Sequence, residues 1–275
     1  MKEILPAIPL PDNYRLNEAF SDDFEGDRLD GSKWNPLCPW FLGRLGAFYF
    51  DPGNVAVKDG LLRLSARMPE KGSAPLQHQL THSDRFSTAF VQSRARIRYG
   101  YFETRCRCMK ANVCNAFWLH DPLDPPAKWL KGDFSEEIDI FEVFGNPAVE
   151  SRKREYLMTV HKYFTPYIEA TGNADSEATG SSAHLPFEFH EDFHRYSLLW
   201  TSEKLSWFAD GKLLYELPNT YHFRAMHLNF DCEVMLWEGI PLAEDLPAEF
   251  DIDYVRVWQE ESRDGGNIQK KRCPK

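Results

Sequence analysis

The sequence lacks any apolar run approaching 18 residues, so no segment reads as a membrane-spanning helix. It also lacks a basic excess: 32 Lys and Arg stand against 42 Asp and Glu, a net charge of −10. Gripping a phosphate backbone needs a basic face, so nucleic acid is not an expected partner. No Cys-x-x-Cys pair occurs among Cys38, Cys106, Cys108, Cys114, Cys232 and Cys273, which argues against zinc. Most of these thiols are expected free and buried, behaving as small apolar residues. Helical stretches are few, and no internal repeat is evident. The N-terminus, Met1 to Pro6, has no apolar h-region, and Pro6 and Pro9 interrupt it. A cytosolic chain and one whose signal peptide was replaced by an initiator Met both remain open.

What is present is aromatic and alternating. Aromatic residues make up 14% of the chain, including 8 Trp and 11 Tyr. Such rings fit the pleated core of a β protein, and a flat ring also covers the apolar face of a sugar. Asn54–Ala66 reads as a hairpin with Asp59-Gly60 at its turn. Ser93–Cys108 reads as two strands with a bend at Gly100, and His194–Leu217 as three strands with a turn at Asp210-Gly211. Met226–Val234 alternates polar and apolar residues, and Phe250–Trp258 reads as a last strand. Asp121–Asp133 and Thr165–Pro186 read as surface loops. Strands at this spacing predict an all-β sandwich of two antiparallel sheets. The expected domains are an N-terminal extension (1–18), one catalytic domain (19–259) and a charged, aperiodic, disordered tail (260–275).

The most informative segment is Glu137-Ile-Asp139-Ile-Phe-Glu142. As a strand it puts Glu137 and Asp139 on one face, because side chains alternate with period two. Glu142 has the opposite parity and would enter the core, where an unpaired charge is costly. A one-residue bulge after Asp139 restores the parity and aligns all three acids. A helix would set Glu137 and Glu142 roughly 140° apart. Two carboxylates in different environments are the minimal equipment for glycoside hydrolysis. The Cα atoms of Glu137 and Glu142 would lie about 13 Å apart on a strand. Leaning side chains can close that to the roughly 5–5.5 Å of a retaining enzyme. A calcium site or a solvated acidic face are the alternatives, and calcium usually draws its ligands from loops rich in carbonyls.

The signature Glu137-x-Asp139-x-x-Glu142 resembles that of glycoside hydrolase family 16 in its bulged form. The resemblance extends to Phe20–Phe24 with Leu29–Trp34, to Tyr99–Arg105, to Phe193–Trp200 with Phe208–Gly211, and to Asp253–Trp258. It implies a β-jelly roll with a concave substrate cleft and endo-acting, retaining cleavage of β-glycosidic bonds. Glu137 would then be nucleophile, Glu142 acid/base and Asp139 the assisting carboxylate. Cys114-Asn-Ala-Phe-Trp118 lacks the Trp-Pro usual in laminarinases, and Glu142-Val-Phe-Gly145 resembles the agarase, porphyranase and carrageenase branch. A red-algal galactan is therefore the expected substrate. A laminarinase or other β-glucanase, or a non-catalytic glycan-binding protein, are the alternatives.

The same resemblance implies substrate-binding roles for Trp40, Arg44, Trp118, His161 and Trp237, with Asp231 and Glu233 on the polar face of Met226–Val234 as cleft-floor candidates. For each the competing reading is core packing or an ordinary surface position. No cofactor is required. A structural Ca2+ would be held by Asp23, the Gly60 carbonyl and Asp253, although the family favours Glu at the position of Asp23. A monomer in a secreted, periplasmic or cell-surface location is expected, with a polysaccharide as partner and neither nucleic acid nor membrane. Deleting Phe141 is expected to convert the motif to an unbulged, partly active form.

Overall fold

The structure is a computed structural model that describes residues 5–69, 74, 85–122, 133–164 and 176–261. In chain order the strands are β1 (Tyr14–Leu16), β2 (Trp34–Asn35), β3 (Phe48–Phe50), β4 (Val55–Lys58), β5 (Leu61–Ala66), β6 (Phe86–Thr88), β7 (Phe90–Ser93), β8 (Gly100–Arg107), β9 (Cys114–Asp121), β10 (Ser135–Phe144), β11 (Glu155–Tyr163), β12 (Ser176–His184), β13 (His194–Trp200), β14 (Lys204–Ala209), β15 (Lys212–Pro218), β16 (His227–Glu233) and β17 (Ala248–Glu260). One sheet has the order β12-β11-β10-β9-β16-β7-β2. The other runs β15-β14-β13-β8-β17-β5-β4, with β1 added against β17.

The two sheets pack face to face because each strand turns every second residue inward. From the seven-stranded sheet Phe117, Leu119, Ile138, Phe141, Val160, Leu228 and Phe230 are fully buried. They meet Phe102, Tyr196, Leu198, Trp207, Phe250 and Val257 of the other sheet, also fully buried. The rings of Phe141 and Tyr196 lie 4.8 Å apart across this interface, and those of Phe141 and Phe250 6.0 Å. The expected hairpin turns are present. Asp59-Gly60 (φ 57° and 73°) joins β4 to β5, and Asp210-Gly211 (φ 47° and 78°) joins β14 to β15. Two successive left-handed residues are the geometry of a type I′ turn, which suits the Asp-Gly pair.

Several boundaries differ from expectation. The segment Ser93–Cys108 forms one long strand, β8, after the end of β7, because Arg94–Tyr99 leaves the ladder apart from a bridge between Ile97 and Met226. Thr165–Pro186 is not all loop: Ser176–His184 forms edge strand β12, paired along its length with β11. Its side chains are almost all exposed, so the backbone ladder holds it and no apolar alternation marks it. Much of the expected loop at Asp121–Asp133, and residues 262–275 of the expected tail, lie outside the described residues. The 1–18 segment is integrated over its described part: β1 pairs with β17, and Ile8 packs with Tyr101 and Trp258 on the outer face of the eight-stranded sheet. The five described cysteines are free and buried, as expected.

Candidate active site

The acidic row lies on β10, near the middle of the seven-stranded sheet. Along β9 the register runs Glu137↔His120, Asp139↔Trp118, then Phe141↔Phe117 and Glu142↔Ala116. One residue, Ile140, has no partner on that side, and on the β11 side Asp139↔Thr159 is followed by Glu142↔Leu157. This is the parity-restoring bulge, and it puts all three acids on the outward face. Bulging costs ladder hydrogen bonds, and buried carbonyls need other partners. Two buried side chains supply them. The Trp207 indole Nε1 donates to the Asp139 carbonyl (2.8 Å), and the Tyr156 hydroxyl donates to the Ile140 carbonyl (2.5 Å). Trp207 comes from β14 of the opposite sheet and Tyr156 from neighbouring β11, so the bulge is clamped from two elements.

Cross-strand pairing lays the outward residues out in rows. One row contains His161, Glu137, His120 and His227; the next Thr159, Asp139, Trp118, Asn229 and Gln92; the third Leu157, Glu142, Ala116, Asp231 and Phe90. Glu233 lies opposite Cys114 in the row beyond. Ala116 is the small residue between Glu142 and Asp231, leaving room for the two longer acids to lean over it. The Tyr163 hydroxyl donates to Glu137 Oε1 (2.8 Å). His161 Nε2 stands 3.2 Å from Asp139 Oδ2 and 3.9 Å from Glu137 Oε1. The Cys114 thiol lies 3.9 Å from Glu142 Oε1.

These acids hold protons far above the usual carboxylate range. Burial is the largest cause for all three catalytic candidates, because the charged form loses its hydration. It pushes Glu142 up to about 8, helped by the charges of Asp139 and Glu233 and opposed by His161 and Cys114. Glu137 is likewise pushed up to about 8, chiefly by burial and then by Asp139, with His161 and the Tyr163 hydroxyl opposing. Asp139 rises to about 8 through burial and the Glu233 charge. Glu137 and Asp139 titrate as a pair. Glu137 is the better place for the charge, since it receives the tyrosine hydroxyl, whereas Asp139 Oδ2 is buried without a hydrogen bond among the described residues. Asp231 is raised by burial and by Glu233 beside it.

The remaining predicted residues fall on one side of this floor. Trp118 is buried in the row of Asp139; its ring meets Trp40 edge-on at 6.3 Å, and Trp40 lies 4.6 Å from His120. Arg44 Nη2 sits 3.4 Å from Glu233 Oε2, with the guanidinium carbon 5.1 Å from the centre of the Trp237 ring. Trp237 is 67% exposed, so one face of its ring is offered to solvent while Arg44 supports it. The calcium candidates behave differently. Asp23 is held by Arg256 (2.8 Å) and Asp253 by Arg105 (2.6 Å), while Gly60 lies in the β4–β5 turn. Both acids are thus already paired, through one oxygen each, with a guanidinium whose charge would oppose a cation beside it. Among the described residues, Glu137, Asp139 and His161 are the group whose ligand atoms converge, all within 4.8 Å of one another.

Four site residues were not singled out from sequence: Tyr163, His120, Tyr156 and Trp207. Tyr163 and His120 share strand parity with His161 and Trp118, a signal that was readable. Trp207 reaches the bulge across the sandwich, and nothing local to it indicates that contact.

Comparison with known proteins identifies the family. The family described as "Beta-porphyranase A-D, GH16 domain" matches residues 14–260. The κ-carrageenase of Pseudoalteromonas carrageenovora is 27% identical over 92% of this chain and 67% of its own length. β-Porphyranase B of Phocaeicola plebeius is 25% identical over 88% of this chain and 82% of its own. Among solved structures, a β-porphyranase from the human gut bacterium Bacteroides plebeius superposes with a TM-score of 0.75 at 26% identity, covering 92% of this chain and 95% of that one.

Proposed function

The chain belongs to glycoside hydrolase family 16, in the group of the β-porphyranases A–D, and on that premise we propose a red-algal galactan of the agar, porphyran or carrageenan type as its substrate. The protein is a retaining endo-β-glycosidase. The observation that carries this reading is the bulge-aligned row of Glu137, Asp139 and Glu142 on the outward face of the sheet. A lectin has no use for two buried carboxylates with raised proton affinity.

In this reading Glu137 attacks the anomeric carbon while Glu142 gives its proton to the departing glycosidic oxygen. The bond to that oxygen breaks as the Glu137 ester forms. Water then attacks the same carbon, its proton passes to Glu142, and the Glu137 carboxylate is released. The high proton affinity of Glu142 suits a group that must arrive protonated near neutral pH. The Tyr163 hydroxyl, together with a proton on Asp139, keeps Glu137 ionised and oriented. Trp118, Trp40 and Trp237 supply ring faces and edges for the sugar chain, with His161 on the opposite side of the row. A polysaccharide does not cross a membrane, which supports a secreted, periplasmic or cell-surface location.

The test is release of new reducing ends from agarose, porphyran, κ-carrageenan, laminarin and mixed-linkage glucan, with mass analysis of the products. Galactan oligosaccharides are expected, with no comparable release from the two glucans. Release from laminarin alone would overturn the substrate assignment, and binding without release on every polymer would overturn hydrolysis.

A further inference from the structure

We propose that Glu137, Asp139 and His161 form a binding site for a divalent transition-metal ion, with zinc as the best fit, and that this ion and the polysaccharide exclude each other. The three ligand atoms lie within 4.8 Å of one another, with His161 Nε2 3.2 Å from Asp139 Oδ2 and 3.9 Å from Glu137 Oε1. Zinc–ligand bonds of about 2.0–2.1 Å in a tetrahedron put ligand atoms roughly 3.3 Å apart. Small side-chain adjustments therefore close the site around one ion.

The ligands come from rigid elements. Glu137 and His161 are direct cross-strand partners, and Asp139 is the next outward residue of the same strand. The His161 ring is stacked on Tyr163, with centroids 5.5 Å apart and planes 10° apart, so its nitrogen is already aimed. Independently of this convergence, Asp139 Oδ2 is buried, accepts no hydrogen bond among the described residues and faces the imidazole. With the imidazole 3.2 Å away and no hydrogen bond accepted among the described residues, that oxygen is open to a metal ion. Two crowded acids in a dry setting gain from a dication, and the imidazole selects a borderline metal over calcium, which wants six to eight oxygens. Two carboxylates and one imidazole leave the fourth zinc position open toward the cleft. An ion there ties up Glu137, so the nucleophile cannot attack. That second half rests on the catalytic reading of Glu137; the binding half does not.

The direct test is calorimetric titration of the full chain with zinc chloride in a non-chelating buffer, with cobalt(II) absorption as a spectroscopic check. Wild type is expected to bind one ion at this site. His161→Ala and Asp139→Asn should each weaken that binding by at least the roughly tenfold loss that follows removal of even an outer partner of a metal ligand. His184→Ala, which changes an exposed histidine on β12, should not. Unaltered zinc binding in both His161→Ala and Asp139→Asn, or no binding by wild type, would overturn the site. Asp139→Asn is nearly isosteric, so it keeps the test decisive if the alanine variant folds poorly. In the activity arm, zinc should raise the apparent KM for the galactan and leave kcat unchanged, with recovery on chelation. Undiminished hydrolysis by the zinc-loaded protein would overturn the exclusion. A protein that binds zinc at this site and hydrolyses none of the polysaccharides contradicts the functional reading alone.

Discussion

Glu142 shows what the site costs the fold. A carboxyl group that titrates near 8 when folded and near 4.5 when unfolded binds protons more tightly in the native state. Its contribution to stability is therefore complete below about pH 4.5 and is lost as pH rises toward 8. Glu142→Gln removes that titration. The variant is expected to melt above the parent at pH 8 and by much less at pH 5, at roughly 2–4 °C per kcal/mol. Thermal scans at the two pH values check this, and a pH-independent difference contradicts it. Glu233 acts on the same group from β16, across the intervening β9, raising both Glu142 and Asp139 by its charge. Glu233→Gln should move the alkaline limb of the kcat/KM profile to lower pH, because the acid loses its proton more readily. An unmoved limb would show that the Arg44 ion pair already neutralises Glu233 toward the acid. The three acids were readable from residue type and spacing, and their separate roles came from the resemblance to the family. Tyr163 and Glu233 as modulators of proton affinity were not, because cross-strand neighbours depend on register.

At the scale of the element, the bulge connects sequence to chemistry. Parity alone required an irregularity between Asp139 and Glu142. It did not say which residue is extra, because that is set by what β9 presents, and the register singles out Ile140. Phe141 instead fills the core between Phe117, Tyr196 and Phe250. Deleting Ile140 should therefore give a folded, partly active protein. Deleting Phe141, the choice suggested by sequence, removes a ring whose loss costs about 3–5 kcal/mol in comparable cores. The reverse ranking in melting temperature and residual activity would refute this register. The clamp makes a further prediction. Trp207→Phe and Tyr156→Phe each strand a buried carbonyl, at about 1–3 kcal/mol. Each is expected to lower kcat by about 10–100-fold with little change in KM, since misplacing a catalytic group by an ångström has effects of that size. In the Ile140 deletion background the same substitutions should leave kcat unchanged. Strand β12 shows the opposite limit of sequence reading: an exposed edge strand carries no apolar period, so Ser176–His184 reads as loop until its partner is seen.

Across the whole molecule, the sandwich was legible because most of its strands alternate cleanly and its turns carry Asp-Gly pairs. The course of the N-terminal segment was not. Residues expected as an extension lie across the outer face of the eight-stranded sheet, where the Ala7 N–H donates to Glu103 Oε2 (2.8 Å). That buried carboxylate also receives the hydroxyls of Tyr101 and Tyr254. A chain beginning at Asn13 uncovers Tyr101 and Trp258 and should lose about 3 kcal/mol, from the burial of Ile8 and one charge-assisted hydrogen bond. Its turnover per folded molecule should match the parent, because the strap lies on the sheet opposite the acidic row. Equal melting temperatures would show the strap to be dispensable. The walls of the cleft, in contrast, depend on loops meeting across the sheet, as where Arg44 reaches Glu233 and Trp237. The claim that joins all three scales is that Glu137 forms a covalent glycosyl intermediate with Glu142 as its acid/base. The most direct measurement is the anomeric configuration of the first reducing ends released from a galactan, followed by proton NMR before mutarotation. The β-anomer should appear first with wild type, and no product should form with Glu137→Gln. First release of the α-anomer, or undiminished release by Glu137→Gln, would contradict the account.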